Sequence, residues 1–391
     1  MPETGEDYHL GMWLGPTVGL LLAGTVPSPR ETPAVVPLVH DSWVSQLAFS
    51  FDGRWLASTE YLGVGPGREP VVYVWDIAGR RLLRRFTRAN LPASQLAFTP
   101  DGARLVTVGE VNPYHPTKDK AIQVFDVSTG KLVFALGDVT TKHEAIALSP
   151  HGRLLAALAD GSGDDDMAVD VFDMTTGKRK RRIARGRYDY ADHLRFVTDD
   201  VLEGVSPGTI RIWRVEDGTS SEQRVGVAES SGNSEISDDG TTIVTHAASG
   251  TVLVEAKELS VIGPGALKVH TSHGRTGALL HRLPDQPKRD LHSVAFSTGA
   301  RHVAIVTYLQ ALMRMHIEHK YPDDIEPEIS IVEVESGRIC QRFDRTRADL
   351  ALPKKPNRDV RVVFSPDGST LAFLGWDETI RLVPMVECPS P

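Results

Sequence analysis

Four side chains in this 391-residue chain are of types that could share acid–base or ligand chemistry: Glu144, Asp192, His193 and His292. Carboxylates and imidazoles brought together can pass a proton or hold a cation. Each lies at an equivalent place in one of a series of mutually similar segments. Glu144, Asp192 and His292 share one level, where the other segments carry Ser45, Ser94, Gly232 and Val360. His193 is one residue further on, level with Gln46, Gln95, Ala145, Asn233, Ser293 and Arg361. No Gly-x-Ser-x-Gly, His-Glu-x-x-His or glycine-rich phosphate loop accompanies them. A wet polar lining is the plainer reading, so the sequence assigns no catalytic residue and no cofactor.

Other ligand-type groups are weaker. His316 and His319 stand one helical turn apart near Glu318, Asp323 and Asp324, and His270 and His273 repeat the spacing. Neither pair has a third ligand fixed by sequence. Asp164, Asp165 and Asp166 lack the alternating spacing of a calcium loop and read as a solvated acidic segment. Cys340 and Cys388 cannot build a disulfide framework, and they lack the Cys-x-x-Cys spacing used in metal or redox work. Zinc-finger and disulfide-scaffold classes are excluded, and no metal is expected.

Composition narrows the field further. The chain is 41% hydrophobic and 24% charged, ordinary for a globular protein. Its net charge of −8 argues against coating phosphate backbones, so nucleic acid is not the expected partner. The dense basic run Lys178–Arg182, and its counterpart Arg80-Arg81 with Arg84-Arg85, read first as protection of outermost strands. An acidic partner is the other reading of the same run. The Arg, Ala, Gly and Pro content resembles that of GC-rich bacterial genomes. Leu10–Thr25 is apolar but short of the roughly 20 residues a membrane-spanning helix needs, and no Lys or Arg precedes it. The expectation is a cytoplasmic protein without a membrane span, with export or anchoring through residues 10–25 as the alternative.

The segments that must position these groups are repeats. QLAFSFDGRWLAS (46–58), QLAFTPDGARLVT (95–107), AIALSPHGRLLAA (145–157), SVAFSTGARHVAI (293–305) and VVFSPDGSTLAFL (362–374) are plain copies of one pattern. HLRFVTDDVLEG (193–204) and SEISDDGTTIVT (234–245) are fainter ones. Each reads as an alternating strand, a turn opened by Ser or Thr, and a second strand. Third strands follow, such as VVYVWDI (71–77) and AIQVFDV (121–127), and most units then turn into a fourth. Seven four-stranded units repeated radially make a propeller.

On these residues the chain resembles the WD40 repeat family. Trp75-Asp76 matches the family's dipeptide, Phe125-Asp126 and Phe172-Asp173 are softened forms, and Trp213 holds the same position. His40 sits where the family's histidine belongs, and Trp376-Asp377 resembles its turn into the third strand. The family's Asp–His–Ser/Thr–Trp set is incomplete in every unit. The implied fold is an all-β, closed seven-bladed propeller over residues 33–391, preceded by a tail of residues 1–32, with blade boundaries least defined between 250 and 291. The last unit supplies three strands, and the lone strand PAVVPLVHD (33–41) is expected to complete it and remove the exposed edges.

The loops are asymmetric. Connections between first and second, and third and fourth, strands are tight turns. Those between second and third strands are long: 60–70, 109–119, 160–167 and 309–328. Long loops in a compact fold are usually functional or mobile. Leu309, Leu312, Met313 and His316 fall at helical spacing, with Met315 nearby, and could present a Met-rich contact surface or pack back on the propeller. The expected activity is non-catalytic docking of an unidentified protein or peptide by a monomeric propeller. Its contacts would be Tyr61, Tyr114, His115, Leu312, Met313, Met315, His316 and Tyr321. A propeller hydrolase or lactonase using the four acid–base groups is the alternative.

Overall fold

The repeated Ser/Thr-initiated turn closes on itself. In a computed structural model of the chain, the Ser50 hydroxyl donates to Asp52 Oδ1 at 2.6 Å and accepts from the Trp55 N–H at 3.0 Å. Thr99 does the same with Asp101 and Arg104, and Ser365 with Asp367 and Thr370. Ser149 and Ser297 keep the second bond, to the amides of Leu154 and His302. One hydroxyl thus satisfies backbone that a hairpin would otherwise leave unpaired. Gly152 shows why glycine ends the motif: its φ is +66°, and a Cβ there would lie 2.8 Å from Pro100 of the neighbouring turn.

The structure describes residues 36–40, 44–60, 71–86, 93–109, 121–137, 142–160, 168–184, 193–206, 209–224, 230–236, 242–247, 252–256, 278–282, 289–309, 327–343, 361–374 and 379–388. The chain divides into two units, Met1–Pro33 and Ala34–Pro391. Within the second, the described strands form seven four-stranded antiparallel sheets. Blade 1 is β2 (Val44–Phe49), β3 (Trp55–Glu60), β4 (Val72–Asp76) and β5 (Arg81–Phe86). Blade 2 is β6 (Ala93–Phe98), β7 (Arg104–Gly109), β8 (Ile122–Asp126) and β9 (Leu132–Leu136). Blade 3 is β10 (Lys142–Leu148), β11 (Leu154–Asp160), β12 (Ala168–Asp173) and β13 (Lys178–Ala184). Blade 4 is β14 (His193–Phe196), β15 (Val201–Ser206), β16 (Thr209–Arg214) and β17 (Ser220–Arg224). Blade 5 is β18 (Ser230–Ile236), β19 (Thr242–Ala247), β20 (Val252–Ala256) and β21 (Ala278–Arg282), which draws its boundaries in the stretch the sequence leaves least defined. Blade 6 is β22 (Arg289–Phe296), β23 (His302–Leu309), β24 (Pro327–Glu333) and β25 (Ile339–Phe343). Blade 7 is β26 (Val362–Phe364), β27 (Thr370–Leu374) and β28 (Thr379–Pro384), completed by β1 (Val36–Val39).

β1 pairs antiparallel with β28, Leu38 opposite Ile380 and Val36 opposite Leu382. The first strands β2, β6, β10, β14, β18, β22 and β26 are neighbours in that order, and β26 packs beside β2. The expected closing strand is therefore in place. No described helix is long and apolar enough to cross a membrane.

The sequence reads as strands alternating between polar and apolar residues, but the middle strands are buried on both faces. In β7, Leu105 packs toward blade 1 with Phe86 and Phe98, while Val106 and Val108 pack toward blade 3 with Leu155 and Phe172. In blades 1, 2, 3 and 7 the middle strands pack against a neighbouring blade on both faces. This explains the continuous apolar runs and why exposed residues gather on outermost strands such as β5 and β9.

The two cysteines are not independent. Cys340 of β25 and Cys388, beyond β28, form a disulfide with Cα atoms 4.4 Å apart. Two cysteines are too few for a disulfide framework, yet the ring brings this pair together across blades 6 and 7.

Two outcomes follow from this packing. Leu38→Ala, which empties a buried position of the closing strand, should lower unfolding free energy in urea by about 2–4 kcal/mol; a loss under about 0.5 kcal/mol would mean β1 does not secure the ring. Turn carboxylates set a pH limit. The Thr99 hydroxyl lowers the Asp101 pKa, the Ser365 hydroxyl lowers that of Asp367, and Ser128 and Thr129 bring Asp126 to about 2. A folded pKa below the unfolded one gives stabilisation that is complete above the ordinary carboxylate range near ~4. It is lost as pH falls from there toward about 2. The melting temperature should drop across that window, and less steeply for Asp126→Asn; equal slopes would remove Asp126 from the account.

Candidate functional site

The inner strands are irregular at one place. β2, β6, β10 and β22 each carry a bulge, between Val44 and Gln46, Ala93 and Gln95, His143 and Ile146, and Leu291 and Ser293. The residues inside these bulges are Ser45, Ser94, Glu144 with Ala145, and His292. Bulges re-aim side chains and gather at rims, so the tier singled out by sequence alignment is where the strand geometry breaks. Ser45 is turned onto its own blade, its hydroxyl sharing a hydrogen bond with Thr59 Oγ1 at 2.8 Å. His193 opens β14 opposite Val205 and is half-buried, as are Gln46, Gln95, Ser293 and Arg361 at the same register level. Asp192 and the side chains of Glu144 and His292 lie outside the described residues. The structure therefore places Glu144, His193 and His292 on the inner strands β10, β14 and β22 but shows no cluster among them.

Buried charge is spent within the blades. Tyr73 donates to Glu60 Oε1 at 2.8 Å, Arg195 pairs with fully buried Glu203 at 2.7 Å, and Arg342 pairs with Glu328 at 3.2 Å. Asp170 on β12 is flanked by Arg179 and Arg182 of β13 at 3.6 and 3.5 Å. The arginine pairs set opposite charges against one another inside the blades, and the tyrosine hydroxyl satisfies an oxygen of Glu60.

The basic runs have structural duties too. Arg84 donates to the Ser128 carbonyl of blade 2, and Arg181 to the Glu216 carbonyl of blade 4. Arg104 donates to the Met174 carbonyl of blade 3 at 2.6 Å. Arginines on one blade thus tie down the turn of the next, beside the stacked pair Phe86 and Phe125, whose centroids are 5.3 Å apart. Edge protection is only part of what the runs do.

The motif residues sort into two roles. Asp76 accepts from the Gly79 N–H at 3.0 Å, Asp126 from Ser128 and Thr129, and Asp173 from the amides of Thr175 and Thr176. Each organises the turn into a fourth strand. Phe125, Phe172 and Trp213 are buried between blades. In blade 1, His40 Nε2 meets Ser58 Oγ at 2.8 Å, and Trp75 Nε1 donates to the same oxygen at 2.9 Å. His40 Nδ1 lies 3.2 Å from the Leu38 carbonyl. Sequence reasoning named His40 and Trp75 but missed Ser58, although Thr107 at the equivalent place in the next repeat was a signal. By register, blade 5 has Thr245 at this position, whereas Ala157, Gly204, Ile305 and Phe373 in the other later blades offer no hydroxyl.

The long connections themselves, with Tyr61, Tyr114, His115, Asp164–Asp166, Leu312, Met313, Met315, His316, His319 and Tyr321, lie outside the described residues. So do His270, His273 and Asp377.

Known proteins place this geometry in context. Residues 35–76, running from β1 through β4, match the model of the WD domain, G-beta repeat. Nuclear distribution protein nudF 2 of Penicillium rubens is 25% identical over 203 residues, covering 49% of this chain but only 39% of that protein. Among solved structures, the β-propeller domain of Myceliophteria thermophila Cps50 (Swd1) superposes with a TM-score of 0.62 at 14% identity. That match covers 90% of this chain and 99% of the other, and it shows the shared fold.

Removing the hydroxyl at the centre of the blade-1 set should be costly. Ser58→Ala leaves the buried His40 and Trp75 nitrogens without their shared partner and should cost about 1–3 kcal/mol in chemical denaturation, whereas Ser58→Thr should retain most of it. Equal losses for both would assign the effect to packing.

Proposed function

The chain is a WD40-type β-propeller, and on that premise we propose that it is a non-catalytic scaffold that docks a protein or peptide partner on its long-loop face. Propellers of this kind typically mediate protein–protein interaction and are generally not enzymes. One observation carries the choice of face. Every second-to-third connection leaves the same end of its blade, and at that end the chain runs through residues 61–71 between β3 and β4, 110–121 between β7 and β8, and 310–326 between β23 and β24. At the opposite end the first-to-second turns are short, closed by their own Ser or Thr hydroxyl and packed against the next turn. Blades 6, 7, 1, 2 and 3 are consecutive in the ring, so the long connections share an arc wide enough for a macromolecular partner.

The partner would meet Tyr61, Tyr114, His115 and the Met-rich stretch around Leu312, Met313, Met315, His316 and Tyr321.

The test replaces residues 310–326 with a short Gly/Ser turn that leaves β23 and β24 intact. Affinity capture from lysate of the source organism, read by mass spectrometry, should retain a discrete protein on the intact chain and lose it on the variant. Retention of the same protein by both chains would overturn the assignment of the face. Loss of the partner on His193→Ala, with the loop intact, would move the site to the inner rim.

A further inference from the structure

Blade 6 and the C-terminal tail gather three ligand-type side chains far apart in sequence: His302, Cys340 and Cys388. Their donor atoms, one imidazole nitrogen and two sulfurs, all lie within 4.8 Å of one another, and all three residues are half-buried. Among the described residues no other group of His, Cys, Asp and Glu meets this condition. The cluster stands at the tight-turn end of the ring, away from the docking face.

Three separate features bring the donors together. β25 carries a bulge: Ile339 is opposite Val332 and Gln341 opposite Ile331, so Cys340 is the extra residue and is re-aimed. His302 opens β23 directly after the turn, its N–H held by Ser297 Oγ at 2.9 Å and its register partner Glu333 tied to Ser336 and Arg338. The tail is steered by Met385, whose N–H donates to the Ser369 carbonyl at 2.8 Å and whose side chain packs on the core between blades 6 and 7. Cys388 then follows beside β25. The fold itself does not require these residue types. Positions equivalent to His302 carry Trp55, Arg104, Leu154, Val201 and Thr370.

We propose that His302, Cys340 and Cys388 form a thiolate–imidazole site for zinc or a similar soft-to-borderline transition metal in the reduced chain, and that the Cys340–Cys388 disulfide is its oxidised, metal-free state. Two thiolates and a neutral imidazole are the donor set such ions favour, and the two negative charges balance a divalent cation. Zinc needs sulfur at about 2.3 Å and nitrogen at about 2.0–2.1 Å. Donors already within 4.8 Å of one another reach that by side-chain rotation once the sulfurs are unbonded. Three protein ligands leave a fourth position for water or an incoming ligand.

Interconversion balances with a disulfide oxidant such as oxidised glutathione. One metal-bound thiolate attacks it, forming a mixed disulfide and expelling one glutathione thiolate. The second protein thiolate then displaces the other, closing the Cys340–Cys388 bond. Two electrons pass to glutathione, the metal ion is released, and His302 is left as a free imidazole. Either state anchors the tail to blade 6. Only the reduced, metal-free chain has an untethered tail.

The experiment uses the full chain reduced with a phosphine, desalted without oxygen and titrated with Co2+. The expected result is one Co2+ per chain with a thiolate-to-cobalt charge-transfer band, displaced by Zn2+ and absent from the oxidised protein. Cys340→Ser and Cys388→Ser should each weaken or abolish the band, and His302→Ala should weaken binding at least about tenfold. Circular dichroism checks that each variant is folded; Cys388 lies beyond the last strand, so Cys388→Ser remains informative if Cys340→Ser does not fold. Absence of the band in a folded, reduced chain would overturn the proposal. So would the same band and affinity in Cys388→Ser.

Discussion

A sheet that is apolar on both faces cannot stand alone in water, and that constraint governs this molecule. The second and third strands of blades 1, 2, 3 and 7 send alternate side chains to opposite neighbours, as Leu105 and Val106 do in β7. Burying one face would still leave hundreds of square ångströms of hydrocarbon exposed, at roughly 25 cal/mol per Å². Every blade therefore needs a blade on each side, and an open array would leave two faces wet. The pairing of β1 with β28 makes the array circular and couples the beginning of the fold to its end.

Circularity places unusual demands on one joint. Inter-blade contacts elsewhere follow from neighbouring segments of chain, but blade 7 meets its closing strand across most of the sequence. It is at this joint that the chain keeps its hydrogen-bonded aromatic set. His40 follows β1 and reaches Ser58, which also holds Trp75, while Tyr73 stacks beside Trp75 with centroids 5.8 Å apart. Buried polar contacts add little net stability, yet they are satisfied in only one geometry and so define register. Blades 2 and 5 hold Thr107 and Thr245 at the equivalent position, while in the other four the hydroxyl gives way to Ala157, Gly204, Ile305 and Phe373, and hydrophobic packing suffices there.

The architecture was legible because its signals are local and repeated. The Ser/Thr turn needs a hydroxyl, an acidic or polar residue and a glycine within a few positions, and repetition made five copies plain before any contact was known. Seven units, their strand order and the closing strand all follow from that pattern. What could not be read was whatever depends on contact between distant segments. Ser58 is an unremarkable serine until it is seen between His40 and Trp75. Arg84 and Arg181 look like edge protection until their guanidinium groups meet carbonyls of the next blade. The two cysteines carry no spacing motif because their proximity is made by the ring and by a bulge, neither of which leaves a trace in linear spacing. The proposed docking residues are a different case: loop length is the signal for the face, and a loop has no period from which its conformation could be inferred.

The two ends of the ring consequently have different capacities. At the tight-turn end the backbone is fixed by hydroxyls, Asp caps and arginines that bridge blades, so a side chain placed there has a defined position. That rigidity suits a metal or disulfide site, where donors must hold their geometry to within a few tenths of an ångström. At the other end the chain runs through long connections between second and third strands, the kind of segment that carries recognition in many folds and the basis of the proposed docking face. Tail anchoring and partner docking are thus separated by the length of the blades. A change in the state of Cys340 and Cys388 would reach the docking face only through the ring itself. Because close-packed apolar blades resist small deformations, the two ends can act independently. Partner binding at the long-loop face should therefore be as strong with the tail released as with the tail anchored.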